Sequence, residues 1–156
     1  MRYLGTVLAS AIASVLPVAA SAEEYAISDE FDGCEFGKLY ELDGGAGILE
    51  CQAYNYFYAY RPTVVADGRH VIVIGDERVE GYIHDGSVYH THIDGYFKGC
   101  DYNKVYRLDN GWLFQCTTFH YHYSLRPEVQ IFEIDGRQPV IFIHGYEYDG
   151  MLLKPQ

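Results

Sequence analysis

The sequence predicts an all-β chain built as two tandem antiparallel modules of four or five strands each, one disulfide per module, behind an N-terminal signal peptide. Three observations carry that expectation. An internal repeat aligns cysteines, tyrosines and an Arg-Pro step. Asp-Gly pairs recur between β-branched and aromatic runs. No segment beyond residue 22 holds a sustained 3.6-residue apolar period.

The chain opens Met1-Arg2-Tyr3 and then runs from Leu4 to Ala20 without a charged residue. Pro17 interrupts the apolar run near its end, and Ala20-Ser21-Ala22 supplies the small residues that a signal peptidase requires. The run is too short and too alanine-rich for a spanning helix. Cleavage is expected after Ala22, which makes residues 1–22 the signal peptide and the remainder a periplasmic or secreted chain without a membrane span. Loss of Arg2 leaves 10 basic against 22 acidic residues, a net charge of −12. That balance argues against nucleic acid, whose affinity rests on Lys and Arg meeting phosphates. It argues equally against electrostatic docking on anionic lipid.

Placing Cys34 on Cys100 aligns Tyr40 with Tyr106, Leu42 with Leu108 and Asp43 with Asp109. After a one-residue deletion, Cys51 meets Cys116, Tyr56 meets Tyr121, Tyr58 meets Tyr123, Arg61-Pro62 meets Arg126-Pro127 and Val64 meets Val129. An insertion follows, and Asp67-Gly68-Arg69 meets Asp135-Gly136-Arg137. Glu80-Gly81-Tyr82 then faces Asp149-Gly150-Met151. The repeat defines a first module over residues 31–83, a joint over 84–95 and a second module over 96–153. Units of this size bury little apolar surface and need a staple. Four cysteines allow three pairings. The repeat selects Cys34–Cys51 and Cys100–Cys116, because a bridge crossing between copies would not have existed before the duplication. An even cysteine count in an exported chain fits this reading.

The string Cys-Asp-Tyr-Asn-Lys-Val-Tyr-Arg-Leu-Asp-Asn-Gly (residues 100–111), the Arg-Pro step and Gly-Asp-Glu-Arg-Val-Glu-Gly-Tyr-Ile (residues 75–83) resemble small exported bacterial proteins of uncharacterised function. The resemblance spans most of the mature chain and implies no activity, cofactor or functional residue.

Asp-Gly steps begin at residues 32, 43, 67, 85, 94, 135 and 149, and Asn110-Gly111 adds another. Such pairs favour the positive φ of tight hairpin turns. Short strands at this spacing predict a roll, sandwich or SH3-like barrel in each module. The longest strand candidate carries Tyr54, Tyr56, Tyr58 and Tyr60 in one copy and Phe119, Tyr121, Tyr123 and Leu125 in the other. Residues at i and i+2 share a face. This row keeps its size and apolar character between copies, so it is assigned to the core. The alternate row, with Asn55 and Phe57 changing to His120 and His122, is assigned to water or to the sister module.

His120-Tyr121-His122 and His90-Thr91-His92 each put two imidazoles on one strand face. With a third ligand from His84, His144 or an acidic side chain, such a pair suits zinc, copper or nickel. The plainer reading is exposed strand histidine without a role. The repeated Arg-Pro step reads as a bend whose arginine bridges to a carboxylate or stacks on a tyrosine. Trp112 reads as a packing residue. The Asp-Gly steps lack the alternating acidic run of a calcium loop. No Gly-x-Ser-x-Gly, His-Glu-x-x-His or phosphate-loop pattern occurs. The expected function is therefore a non-enzymatic, cofactor-free binding module for a protein or a cell-envelope polymer. The alternative is an exported metal-binding protein using His120, His122, His90 and His92.

Overall fold

The computed structural model describes residues 21–155, so nearly all of the expected signal peptide lies outside the described residues. The first module carries β1 (Glu23–Ala26), β2 (Glu30–Phe31), β3 (Leu39–Leu42), β4 (Gly47–Cys51), β5 (Ala59–Tyr60), β6 (Thr63–Asp67), β7 (His70–Ile74) and β8 (Glu77–His84). The second carries β9 (Gly86–His92), β10 (Tyr96–Phe97), β11 (Val105–Arg107), β12 (Leu113–Cys116), β13 (Ser124–Leu125), β14 (Glu128–Ile134), β15 (Val140–Ile143), β16 (Tyr146–Tyr148) and β17 (Gly150–Leu153). The chain is all-β, and no helix among the described residues is long and apolar enough to cross a membrane.

Both modules weave their strands in one order. The first sheet runs β1-β6-β7-β8-β4-β3. The second runs β9-β14-β15-β16 and continues as β17-β12-β11, with Asp149 alone separating β16 from β17. A two-residue pair lies beside each sheet, β2 with β5 and β10 with β13. In the first module a single bridge, Ile27 to Leu42, joins the two ends of the sheet, which rolls round on itself; in the second, where the break at Asp149 divides the order into a four-stranded and a three-stranded sheet, the equivalent bridge from Ile93 to Leu108 links one sheet to the other. The strand count exceeds four or five per module because these short pairs add to the main strands and Asp149 splits the last hairpin arm of the second module.

The disulfides join Cys34 to Cys51 and Cys100 to Cys116. Each module buries its own core. Phe31, Leu42, Leu49, Ile74 and Ile83 fill the first; Phe97, Leu108, Phe114, Ile131 and Ile143 fill the second. A hydroxyl pins each disulfide loop in the same way, Tyr40 donating to Gly33 O at 2.5 Å and Tyr106 to Gly99 O at 2.6 Å. The Arg-Pro step recurs in detail as well. Arg61 and Arg126 both sit at positive φ, 47° and 46°, and reach Asp43 and Asp109 at 2.6 Å. The arginine thus serves the bend, as the sequence led us to expect.

One expectation needs correction, and the joint can be described. The segment 84–95 is largely strand. β9 occupies most of it and is paired with β14 over its whole length, from Gly86 opposite Ile134 to His92 opposite Glu128. Only Asp85 separates β8 from β9. Gly86 lies so close to the Glu133 carbonyl that no side chain fits there, which makes the Asp85-Gly86 step a close approach rather than a positive-φ turn.

The correction concerns the aromatic rows. Tyr54, Tyr56, Tyr58 and Tyr60 stand in solvent, as do Phe119, Tyr121, Tyr123 and Leu125. Asn55 bridges Cys34, and His120 bridges Cys100. Residues directly opposite in an antiparallel bridge share a face. Each cysteine side chain turns inward to its disulfide, so Asn55 sits half-buried on that side, His120 lies on the same side at its exposed margin, and the rings of the alternate row turn out. Phe57 follows Asn55 inward and packs on Phe31, ring centres 4.7 Å apart.

Each disulfide closes a short loop, 17 and 16 residues in sequence separation. Removing either one, as Cys34→Ser/Cys51→Ser or Cys100→Ser/Cys116→Ser, is expected to cost about 3 kcal/mol by chain entropy. Urea titration of the two variants against the oxidised protein checks this.

Candidate functional site

Three features present chemistry to the outside: the aromatic rows, the seam between the modules, and a corner of the second module where histidines meet tyrosines.

The rows match position by position. Tyr54 and Phe119 are each 66% exposed, Tyr56 and Tyr121 77% and 81%, Tyr58 and Tyr123 63% and 58%. Phe36 and Tyr102, at equivalent places near the disulfide, are both 72% exposed. Single exposed apolar residues are ordinary on a protein surface, whereas contiguous ones mark contact sites. The same row left open in both modules is a feature of the scaffold, not of one loop.

At the seam, Ile48 from the first module packs with Phe132 and Ile134 from the second, flanked by Leu39, Val88, Val140 and Phe142. Ion pairs cross at its margins. Arg137 reaches Glu50 at 2.9 Å, and Glu50 also meets His84 at 2.5 Å. His90 meets Glu41 at 2.6 Å and Glu128 at 3.3 Å. Beside this clamp lies a cleft of about 430 Å³ with Leu39, Tyr40, Phe132 and Phe142 on its apolar wall. Burial pulls the His90 pKa down, but hydrogen bonds and attraction from Glu41 and Glu128 outweigh it and hold the pKa above its ordinary value of 6.5.

The corner of the second module gathers His120, His122, His144, Tyr146 and Tyr148. The His122 ring lies 5.5 Å from His144 and 5.3 Å from Tyr146, centre to centre. His120 lies 4.7 Å from Tyr148 and 6.3 Å from Tyr146. Phe97 forms the floor, 6.4 Å from His122 and 5.3 Å from Tyr148. Among the described residues, the buried side-chain polar atoms without a hydrogen-bond partner are His122 Nε2 and Tyr148 Oη, both in this corner. An unmet buried polar atom costs roughly 1–3 kcal/mol. His144 adds strain, because it holds φ at 52°, a left-handed position that costs a non-glycine residue about 1–3 kcal/mol.

The two sequence-predicted histidine pairs therefore do different things. His120 and His122 join the aromatic corner. His90 holds the seam, and His92 is exposed opposite Glu128 on β14. The pairs share no contact partner, and among the described residues no three His, Cys, Asp or Glu side chains already stand close enough to hold one ion. Trp112 packs on Tyr89 at 4.9 Å beneath the Lys154 ammonium, in keeping with a packing role. The sequence reading named His144 as one of several third ligands but missed Tyr146 and Tyr148. Their signal was the replacement of Glu77 and Val79 at the equivalent turn of the first copy.

No family model, curated protein or solved structure matches the chain.

The raised pKa sets the sign of a pH effect at the seam. Stabilisation from protonated His90 is complete below pH 6.5 and is lost as pH rises through the folded value. The Tm advantage of the protein over its His90→Gln variant is expected to be widest below pH 6.5 and to narrow above it, as read by calorimetry.

Proposed function

We propose that this is an exported, non-enzymatic binding protein whose two modules, copies of one ancestral unit, each offer an aromatic row to an elongated envelope polymer. The observation that carries the reading is the matched exposure of Tyr54, Tyr56 and Tyr58 with Phe119, Tyr121 and Tyr123. Tyrosine brings a large, rigid apolar face and a hydroxyl at small entropic cost, which suits recognition of surfaces that are partly apolar and partly wet. Rings two residues apart along a near-extended chain stand roughly 6.5–7 Å apart, a spacing that meets successive units of a polymer.

Charge narrows the ligand. With −12 on the mature chain, a polyanion is repelled, so the favoured ligand is a neutral glycan strand whose sugar faces stack on the rings. Two disulfides agree with an oxidising compartment outside the cytoplasm. Only Asp85 lies between the strands of one module and the next, so the second row stays near any ligand held by the first and avidity exceeds the affinity of either row.

Co-sedimentation of the mature protein with insoluble envelope glycan is the test. Tyr54→Ser/Tyr56→Ser/Tyr58→Ser and Phe119→Ser/Tyr121→Ser/Tyr123→Ser are each expected to lower retention at least tenfold. Stability should change little, because the rings make few core contacts. Equal retention of both variants and the parent protein overturns the reading. Retention that vanishes when protein is stripped from the glycan assigns the rows to a protein partner instead.

A further inference from the structure

We infer that the His122–His144 corner is a binding site for one divalent transition-metal ion, built into the second module alone. This goes beyond the aromatic rows and does not depend on them. The two modules act as each other's control. Cys34 bridges Asn55 as Cys100 bridges His120. The Gly75 amide donates to Thr63 O as the His144 amide donates to Glu128 O. Gly81 pairs with Cys51 as Gly150 pairs with Cys116. Those matches make Phe57, Gly75, Glu77 and Val79 the structural counterparts of His122, His144, Tyr146 and Tyr148.

In the first module this corner carries no imidazole, and none of its buried polar side-chain atoms lacks a partner among the described residues. Phe57 packs on Phe31, and a Cβ added to Gly75 would lie 3.9 Å from the Phe57 ring. In the second module, the same adjacency holds two imidazoles. Glycine at a left-handed position has become histidine, and a core phenylalanine has become a histidine whose Nε2 is buried without a partner. Both changes work against the unliganded fold, and together they set two imidazoles side by side. Two imidazoles on one tetrahedral ion, through bonds of about 2.1 Å, hold their ring centres roughly 5 Å apart. His122 and His144 stand at 5.5 Å. The Tyr146 ring lies 5.3 Å from His122, and His120 packs on the rings of Tyr148 and Tyr146 as a neighbour rather than a third ligand. Water completes an open coordination shell. Imidazole-rich donor sets take copper(II), nickel(II) and zinc(II), with copper(II) tightest.

The test uses the mature, disulfide-bonded chain with copper(II) and zinc(II) titrated separately by calorimetry, together with thermal melts. One ion per chain is expected, copper tighter than zinc, and each metal should raise Tm. Returning the corner to its first-module residues, His122→Phe/His144→Gly, is expected to weaken both metals at least 100-fold while raising the metal-free Tm. The His90→Ala/His92→Ala variant is expected to bind as the parent does. Binding unchanged in His122→Phe/His144→Gly, lost in His90→Ala/His92→Ala, or absent from the parent overturns the inference.

Discussion

The bridge between the first cysteine of each module and the segment after its second cysteine governs the rest of the structure. Cys34 pairs with Asn55 and Cys100 with His120, donor and acceptor exchanged both ways at 2.7 and 3.0 Å in each module. The approach is tight. A Cβ on Gly33 would come within 2.7 Å of Asn55 O, and one on Gly99 within 2.5 Å of His120 O. The glycine, the cysteine and its inward sulfur together dictate which side of the neighbouring segment faces the core. The exposure of Tyr54, Tyr56, Tyr58, Phe119, Tyr121 and Tyr123, and the turn of His122 toward Phe97, follow from that choice.

Much of this was legible in residues alone. The alignment of Cys34 with Cys100 and of Cys51 with Cys116 was enough to select the disulfides, because each pair closes within one unit. The Arg-Pro step also read correctly as a bend. The facing of the tyrosine row did not. A period of two defines two rows but not which one is buried, and conserved size made Tyr54, Tyr56 and Tyr58 look like core when they are surface. The deciding contact joins residues some twenty positions apart and is invisible to periodicity. The His120-x-His122 pair was readable in the same local way, whereas Tyr146 and Tyr148 arrive on β16, which only the fold brings alongside.

The two modules share a scaffold but differ in what they hold inside it. The first closes its corner with Phe57 and holds Asp32 below its usual carboxylate range; burial alone would raise that pKa, but the hydrogen bond and attraction from Lys38 prevail. The second has Lys98 where the first has Asp32, and it admits histidine and tyrosine where the first excludes them. The seam ties the two together through apolar packing and through carboxylates that serve histidines from both sides, Glu41 across it and Glu128 along it. Strain accepted in one half is thereby supported by a neighbour with none in the same place.

The rolled sheets have a consequence for a surface so rich in exposed rings. Flat borders with bare amides invite other chains to dock strand on strand, and greasy aromatic stretches beside such borders are a route to fibrils. Here Ile27 with Leu42 ties together the outermost strands of the first sheet, and Ile93 with Leu108 ties an outer strand of one second-module sheet to an outer strand of the other. A molecule that knots its own hems in this way can display tyrosine freely to its surroundings while giving its siblings little to stitch onto.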